Sequence, residues 1–254
     1  CFKASMFWSS LALLLSKLLM VSLMSLAVFS SCSKTPTGDV VLVVILLIVL
    51  LFTVFGLPIL IEYGHIDMIY VNLVFLFLFF TGIWSSSNPL LILITSLLFF
   101  TQVTLRVLRF SDLPIEFYLL ERIFGLINML VFIMVNFRLL FRNQEVNFYR
   151  VIGAVNVYLL LALLGAFAFE LIQLTSGSSI SGQAMIDSEQ ELTGSDSDFS
   201  VYVYFSLVSL TTVGFGDYTP VNILSKMISV FLSTIGILYP AVVIARLVGY
   251  STQK

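Results

Sequence analysis

The stretch TTVGFGD, Thr211 to Asp217, gathers two hydroxyls, two glycines and a carboxylate in a chain that is otherwise mostly apolar. Glycine adopts left-handed dihedrals without steric cost, whereas other L-residues resist them. Gly214 and Gly216 stand at alternate positions, which is what a backbone needs if successive carbonyls are to face one axis. With the carbonyls of Thr212, Val213, Gly214 and Phe215 and the Thr212 hydroxyl facing inward, several copies around that axis would stack cages of oxygen able to replace an ion's hydration shell. Such binding asks for no nucleophile. No nucleophile, base and orienting group converge anywhere in the chain, so enzymatic function has no support.

A loop of this kind has to be held by its surroundings, and the composition says what those are. Of 254 residues, 59% are hydrophobic and 10% charged, against ~45–50% and ~25% in soluble domains. The chain reads as an integral membrane protein of the cell membrane. A net charge of −2 with no basic surface sets nucleic acid aside. Two cysteines, Cys1 and Cys32, and the single His65 are too few to suggest a disulfide framework or a catalytic metal site, and no cofactor is expected.

A transmembrane helix needs ~20 apolar residues. Seven runs qualify: Trp8 to Phe29, Val40 to Ile61, Ile66 to Trp84, Leu90 to Leu108, Phe117 to Phe141, Val151 to Leu174, and Ile223 to Tyr250. Breaks such as SSSNP, FSDLP and RNQEVN separate them with helix-ending residues. Between Leu174 and Ile223 lie a polar loop with Asp187, Glu189, Glu191, Asp196 and Asp198 and no basic residue, then the apolar stretch Phe199 to Leu210. That stretch is too short to cross a bilayer and reads as a re-entrant half-helix capped by Ser197 or Asp198. Backbone that is irregular at membrane depth must line a wet cavity.

TTVGFGD resembles the selectivity filter of potassium channels, and YFSLVSLTTVGFGDYTPV their pore-helix and filter signature. FYRVIGAVNVYLLLALLGAFAFE is similar to the outer helix of bacterial members, and GILYPAVVIARLVG to their inner helix. The resemblance implies an all-α transmembrane fold of six or seven membrane-spanning helices, with a fourfold symmetric homotetramer around one pore. It implies passive conduction of K+, bound at Thr212, Val213, Gly214, Phe215 and Gly216 and supported by Thr211 and Asp217. The implied domains are a hydrophobic or signal-like segment 1–33, a four-helix region 34–146 and a pore domain 147–254. The pore domain divides into outer helix 148–174, acidic outer loop 175–198, pore helix 199–210, filter 211–217 and inner helix 222–250.

Phe215 replaces the usual tyrosine, which keeps a weakly selective cation channel, or less readily a potassium-uptake transporter subunit, as alternatives. Where relatives place a tryptophan pair this chain has Tyr204 and Phe205, so Tyr204 is the expected hydrogen-bond donor to Asp217. Gly236, where the family often has its hinge glycine, and Pro240 one turn later mark the expected gate. Glu170 resembles a glutamate that braces the pore loop, with a plain interfacial charge as the alternative. The acidic loop, repeated four times, is expected to raise local cation concentration at the outer mouth.

Filters of this family face outward, which puts Arg138, Arg142, Arg150, Arg246 and Lys254 on the cytoplasmic side, with Lys226 an exception. A voltage sensor needs arginines at every third position, each worth ~2.3 kcal/mol per 100 mV. Phe117 to Phe141 carries only Arg122 and Arg138, and the pair Arg106 and Arg109 has Asp112, Glu116 and Glu121 nearby; an ion-pair reading fits better than a sensor. Asn72, Asn128 and Asn156 are expected to hydrogen-bond between helices. LAVFSSC, ending at Cys32, resembles a lipoprotein cleavage site, an alternative to a seventh span. Expected partners are three further copies and membrane lipids; a regulatory subunit is left open.

Overall fold

The computed structural model describes residues 36–64, 68–84, 89–109, 116–141, 148–182 and 192–251. The chain divides into Cys1–Leu42 and Val43–Lys254. Of the first unit, residues 36–42 are described, as the opening turns of helix α1 (Pro36–Leu51). A π-helical turn, Phe52–Gly56, joins α1 to α2 (Leu57–Glu62). Its cause is local: Pro58 has no N–H to donate, and the backbone widens so that the Leu57 N–H bonds back to the Phe52 carbonyl. The three pieces therefore form one helical run, in which Val43–Glu62 is long and apolar enough to cross a membrane.

Next come α3 (Met68–Trp84), α4 (Pro89–Arg109), α5 (Glu116–Phe141), α6 (Phe148–Ser176), α7 (Phe199–Leu210) and α8 (Ile223–Ser251). Tyr118–Arg138 of α5, Arg150–Ser176 of α6 and Ile223–Arg246 of α8 also have the length and composition of a span, four in all among the described residues. The runs expected at Ile66 to Trp84 and Leu90 to Leu108 are the helices α3 and α4. At 17 residues, α3 rises only ~25 Å against a hydrocarbon core of ~30 Å, and the apolar part of α4 is Leu93–Leu105. The run Trp8 to Phe29 lies outside the described residues.

The core is built around α6, whose Val157, Leu160, Leu163, Ala166 and Phe169 are buried. Leu50 and Leu57 of the first run, Phe75 and Leu78 of α3, Met129 and Phe132 of α5, and Tyr202, Val203 and Phe205 of α7 close on it. Phe75 meets Phe199 edge-on at 5.1 Å between ring centroids, and Phe169 meets Phe205 at 4.9 Å. In a membrane such packing, not water exclusion, holds helices together, and small residues let them approach. Gly165 of α6 is one of these, facing the Ser206 hydroxyl and the Leu232 side chain. The Ser206 hydroxyl donates to the Ala162 carbonyl at 2.6 Å. Asn156 donates to the Val43 carbonyl at 3.0 Å, tying α6 to α1.

One departure from an all-helical fold is a two-stranded antiparallel ribbon. Strand β1 (Ile180–Gly182) pairs with β2 (Tyr218–Pro220) in the register Ile180 with Pro220, Ser181 with Thr219 and Gly182 with Tyr218. A bond from the Val221 N–H to the Ser179 carbonyl extends it, and the Asn222 amide donates to the Ser178 carbonyl. The segment leaving residues 211–217 is thereby fastened to the loop that follows α6.

Candidate functional site

The helix feeding the motif spans Phe199–Leu210, and the chain before it is wound into a tight turn at Asp196–Asp198. The capping role expected of Ser197 or Asp198 is exercised one turn earlier: Ser195 and Asp198 form a capping box around that turn. One carboxylate oxygen of Asp198 accepts from the backbone N–H groups of Thr193 at 2.7 Å and Gly194 at 2.9 Å. No side chain caps α7 itself.

At the other end the helix unwinds in steps. The N–H groups of Thr211, Thr212 and Val213 bond to the carbonyls of Leu207, Ser209 and Val208, and the Thr211 hydroxyl also reaches Leu207 at 2.7 Å. From there φ is positive at every second residue: 59° at Thr212, 58° at Gly214 and 81° at Gly216. Alternation of this kind turns successive peptide planes to the same side. Spacing singled out the two glycines, but Thr212 gave no such signal. It is the one non-glycine residue with positive φ among those described. An L-residue there costs ~1–2 kcal/mol, and strain of this kind gathers at functional positions. Thr211 to Asp217 are all exposed on the single chain, Phe215 at 70%.

Asp217 is held from two sides. The Tyr204 hydroxyl donates to one of its oxygens at 2.6 Å, and the Tyr218 N–H to the other at 3.0 Å. The carboxylate beside it, and to a lesser degree burial, pushes the Tyr204 phenol up to about 12, so it stays a donor across the working pH range. The Tyr204 and Tyr218 rings meet edge-on at 5.7 Å. A charge-assisted bond contributes ~1.5 kcal/mol or more, so Tyr204→Phe is expected to leave the fold intact and quicken the decay of ion flux roughly tenfold. Time courses from reconstituted protein check this; an unchanged decay removes Tyr204 from the supporting set.

A residue that sequence reasoning missed organises the loop behind the motif. Gln173, buried near the end of α6, donates to the carbonyls of Gly177 at 2.9 Å and Leu192 at 2.8 Å. Its amide oxygen accepts from the Ser179 N–H at 2.7 Å and the Ser179 hydroxyl at 3.0 Å. The only available signal was an amide placed in an apolar helix just before TSGSS.

The inner side of the site is clamped as well. The Ser233 hydroxyl of α8 reaches the Ser209 carbonyl at 2.8 Å, and Tyr158 of α6 the Leu210 carbonyl at 3.4 Å. Gly236 is buried where α8 crosses the end of α7, and a Cβ there would collide with the Leu210 carbonyl. Tyr239 donates to the Ala154 carbonyl of α6 at 2.9 Å. Pro240 lies inside α8 and has no N–H for the Gly236 carbonyl four residues earlier.

The acidic loop needs correction. Asp196 was grouped with the carboxylates that attract cations at the outer mouth, but it is buried, 3% exposed, and its carboxylate is paired with Arg122 of α5. Its carboxylate faces Arg122 inside the protein, a cation it shares with Glu170. Asp198 is taken up by the backbone of residues 193–195. Asp187, Glu189 and Glu191 lie outside the described residues, as do the side chains of Arg106, Arg109 and Asn72.

Residues 157–253 match a family model described as "Ion channel", which covers most of α6 and all of α7, the 211–217 segment, β2 and α8. No curated protein and no solved structure matches the chain. The match supports an ion-channel domain, and the four apolar helices among the described residues agree with a mostly helical membrane protein.

Proposed function

We propose that the chain is one subunit of a potassium-selective channel, in which four copies surround a single pore and K+ passes down its gradient through residues 212–216. One observation carries the reading. Positive φ alternates at Thr212, Gly214 and Gly216 in a segment delivered by a helix too short to span and followed by one that does. Four such segments around an axis present rings of carbonyl oxygen that stand in for water around K+. The α8 face bearing Ile223, Met227, Val230, Phe231 and Ile237 is exposed on one chain and is assigned partly to neighbouring copies. In the proposed arrangement α3 and α4 also cross, with a tilt or local thinning of the bilayer, giving six spans in the cell membrane, or seven with the segment at Trp8 to Phe29.

A second reading has one observation in its favour: Phe215 has no phenol with which to brace the cages, and a looser filter would pass Na+ as well. Reconstitution into K+-loaded liposomes separates the two. Flux driven by a K+ gradient, blocked by Ba2+ and at least tenfold above the Na+ flux is the expected result. Equal K+ and Na+ flux favours the weakly selective pore, and no flux of either ion overturns the channel reading.

A further inference from the structure

Arg122 is buried at 3% exposure, although it sits in a helix apolar enough to span a membrane. A cation in that setting has to be surrounded by partners, and Arg122 has them from three segments. Its Nε lies 3.0 Å from a Glu170 carboxylate oxygen at the far end of α6. Its Nη2 is paired with Asp196, in the turn that leads into α7, and donates to the Tyr118 hydroxyl at 2.8 Å. The guanidinium carbon stands 4.8 Å from the centre of the Tyr118 ring. Tyr118 passes the contact on, donating to the Gly194 carbonyl at 2.6 Å.

Two side chains of α5 thus grip the chain on both sides of Ser195, immediately before α7 starts. Asp196–Asp198 runs into Phe199 without a break. A helix of 12 residues is a stiff rod of ~18 Å. Fixing its first turn therefore fixes where its last turn delivers Thr211 to Asp217.

We propose that Arg122 is a positioning residue for conduction: it couples α5 to the pore helix, so that displacement of the helices ahead of the pore is felt at the filter. The assignment rests on the channel reading above. Removing one member of a buried ionic cluster strands the others, so loss of folding in Arg122→Met is uninformative about position. The informative variant is Arg122→Met/Glu170→Gln/Asp196→Asn, which keeps the shape and removes the charges of both carboxylates in contact with Arg122 together with its own. Arg122→Lys keeps the charge without the forked geometry.

Two readouts apply, Na+ flux relative to K+ flux in liposomes, and the rise in melting temperature that K+ confers over Na+ by binding the folded filter. In the neutral variant the Na+/K+ flux ratio is expected to rise roughly tenfold, within the range of long-range coupling, and K+ protection to shrink. Arg122→Lys is expected to fall between it and the wild type. Wild-type values of both readouts in a folded neutral variant, or in Arg122→Lys if the neutral variant does not fold, overturn the assignment. Wild-type protein with neither K+ flux nor K+ protection overturns the channel reading first, and the assignment with it.

Discussion

Gly214→Ala is expected to abolish the proposed K+ flux of reconstituted protein while leaving helix content and sizing in detergent unchanged. The reason is not space, because a Cβ at Gly214 meets nothing within 4 Å on the chain. It is the dihedral: φ is +58°, where an L-residue costs ~1–2 kcal/mol. In the proposed tetramer four copies would raise that to ~4–8 kcal/mol, enough to turn the peptide out of line and break the proposed ring of carbonyls. Thr212 already carries the same kind of strain next to it, so little tolerance remains. A flux at least a hundredfold below wild type is expected, measured in the liposome assay, with circular dichroism and sizing in detergent as controls. Equal flux in the two proteins would place the conduction path elsewhere.

Gly236→Ala has the largest expected effect on stability, and the contrast with two other glycines makes the test specific. At Gly236 the added methyl runs into the Leu210 carbonyl, which is backbone and has no rotamer to escape through. At Gly165 the obstacles are the Ser206 hydroxyl and the end of Leu232, side-chain atoms that can turn away. At Gly153 nothing lies within 4 Å. Overpacking costs ~1–3 kcal/mol, and backbone contact puts Gly236→Ala at the upper end. A melting temperature lower by roughly 5–10 °C follows for a chain of this size, with a smaller loss for Gly165→Ala and none for Gly153→Ala. Thermal unfolding in detergent ranks the three. A Gly236→Ala protein as stable as Gly153→Ala would mean that α8 does not lie against the end of α7.

What could be read ahead of the structure followed local rules. Phe199 to Leu210 is too short for a span and too apolar for a loop, and the helix has those bounds. The paired glycines declared a left-handed backbone, whereas the Tyr204–Asp217 contact was expected from the family resemblance, which sets Tyr204 where relatives place a tryptophan. What stayed hidden depends on chain folding. Strands of three residues carry too little alternation to stand out from a polar loop, so the ribbon between Ile180–Gly182 and Tyr218–Pro220 left no trace. Arg122 and Asp196 are 74 residues apart, and nothing nearby tells an acidic residue at the mouth from one that is buried and paired. Pro58 lies inside the run Val40 to Ile61, which gave no sign of the widened turn at Phe52–Gly56.

The three fastenings of α8 at Ser233, Gly236 and Tyr239 have a mechanical outcome. They immobilise the upper arm of the helix and leave the backbone bond missing at Pro240 as the natural fulcrum, one turn below the glycine expected to serve as hinge. From Ala241 to Ser251 the helix beyond it is ~16 Å long. A 20° swing there carries its tip ~6 Å; in the proposed tetramer four such swings outward would widen an aperture by ~11 Å, with no atom of residues 211–217 having to shift.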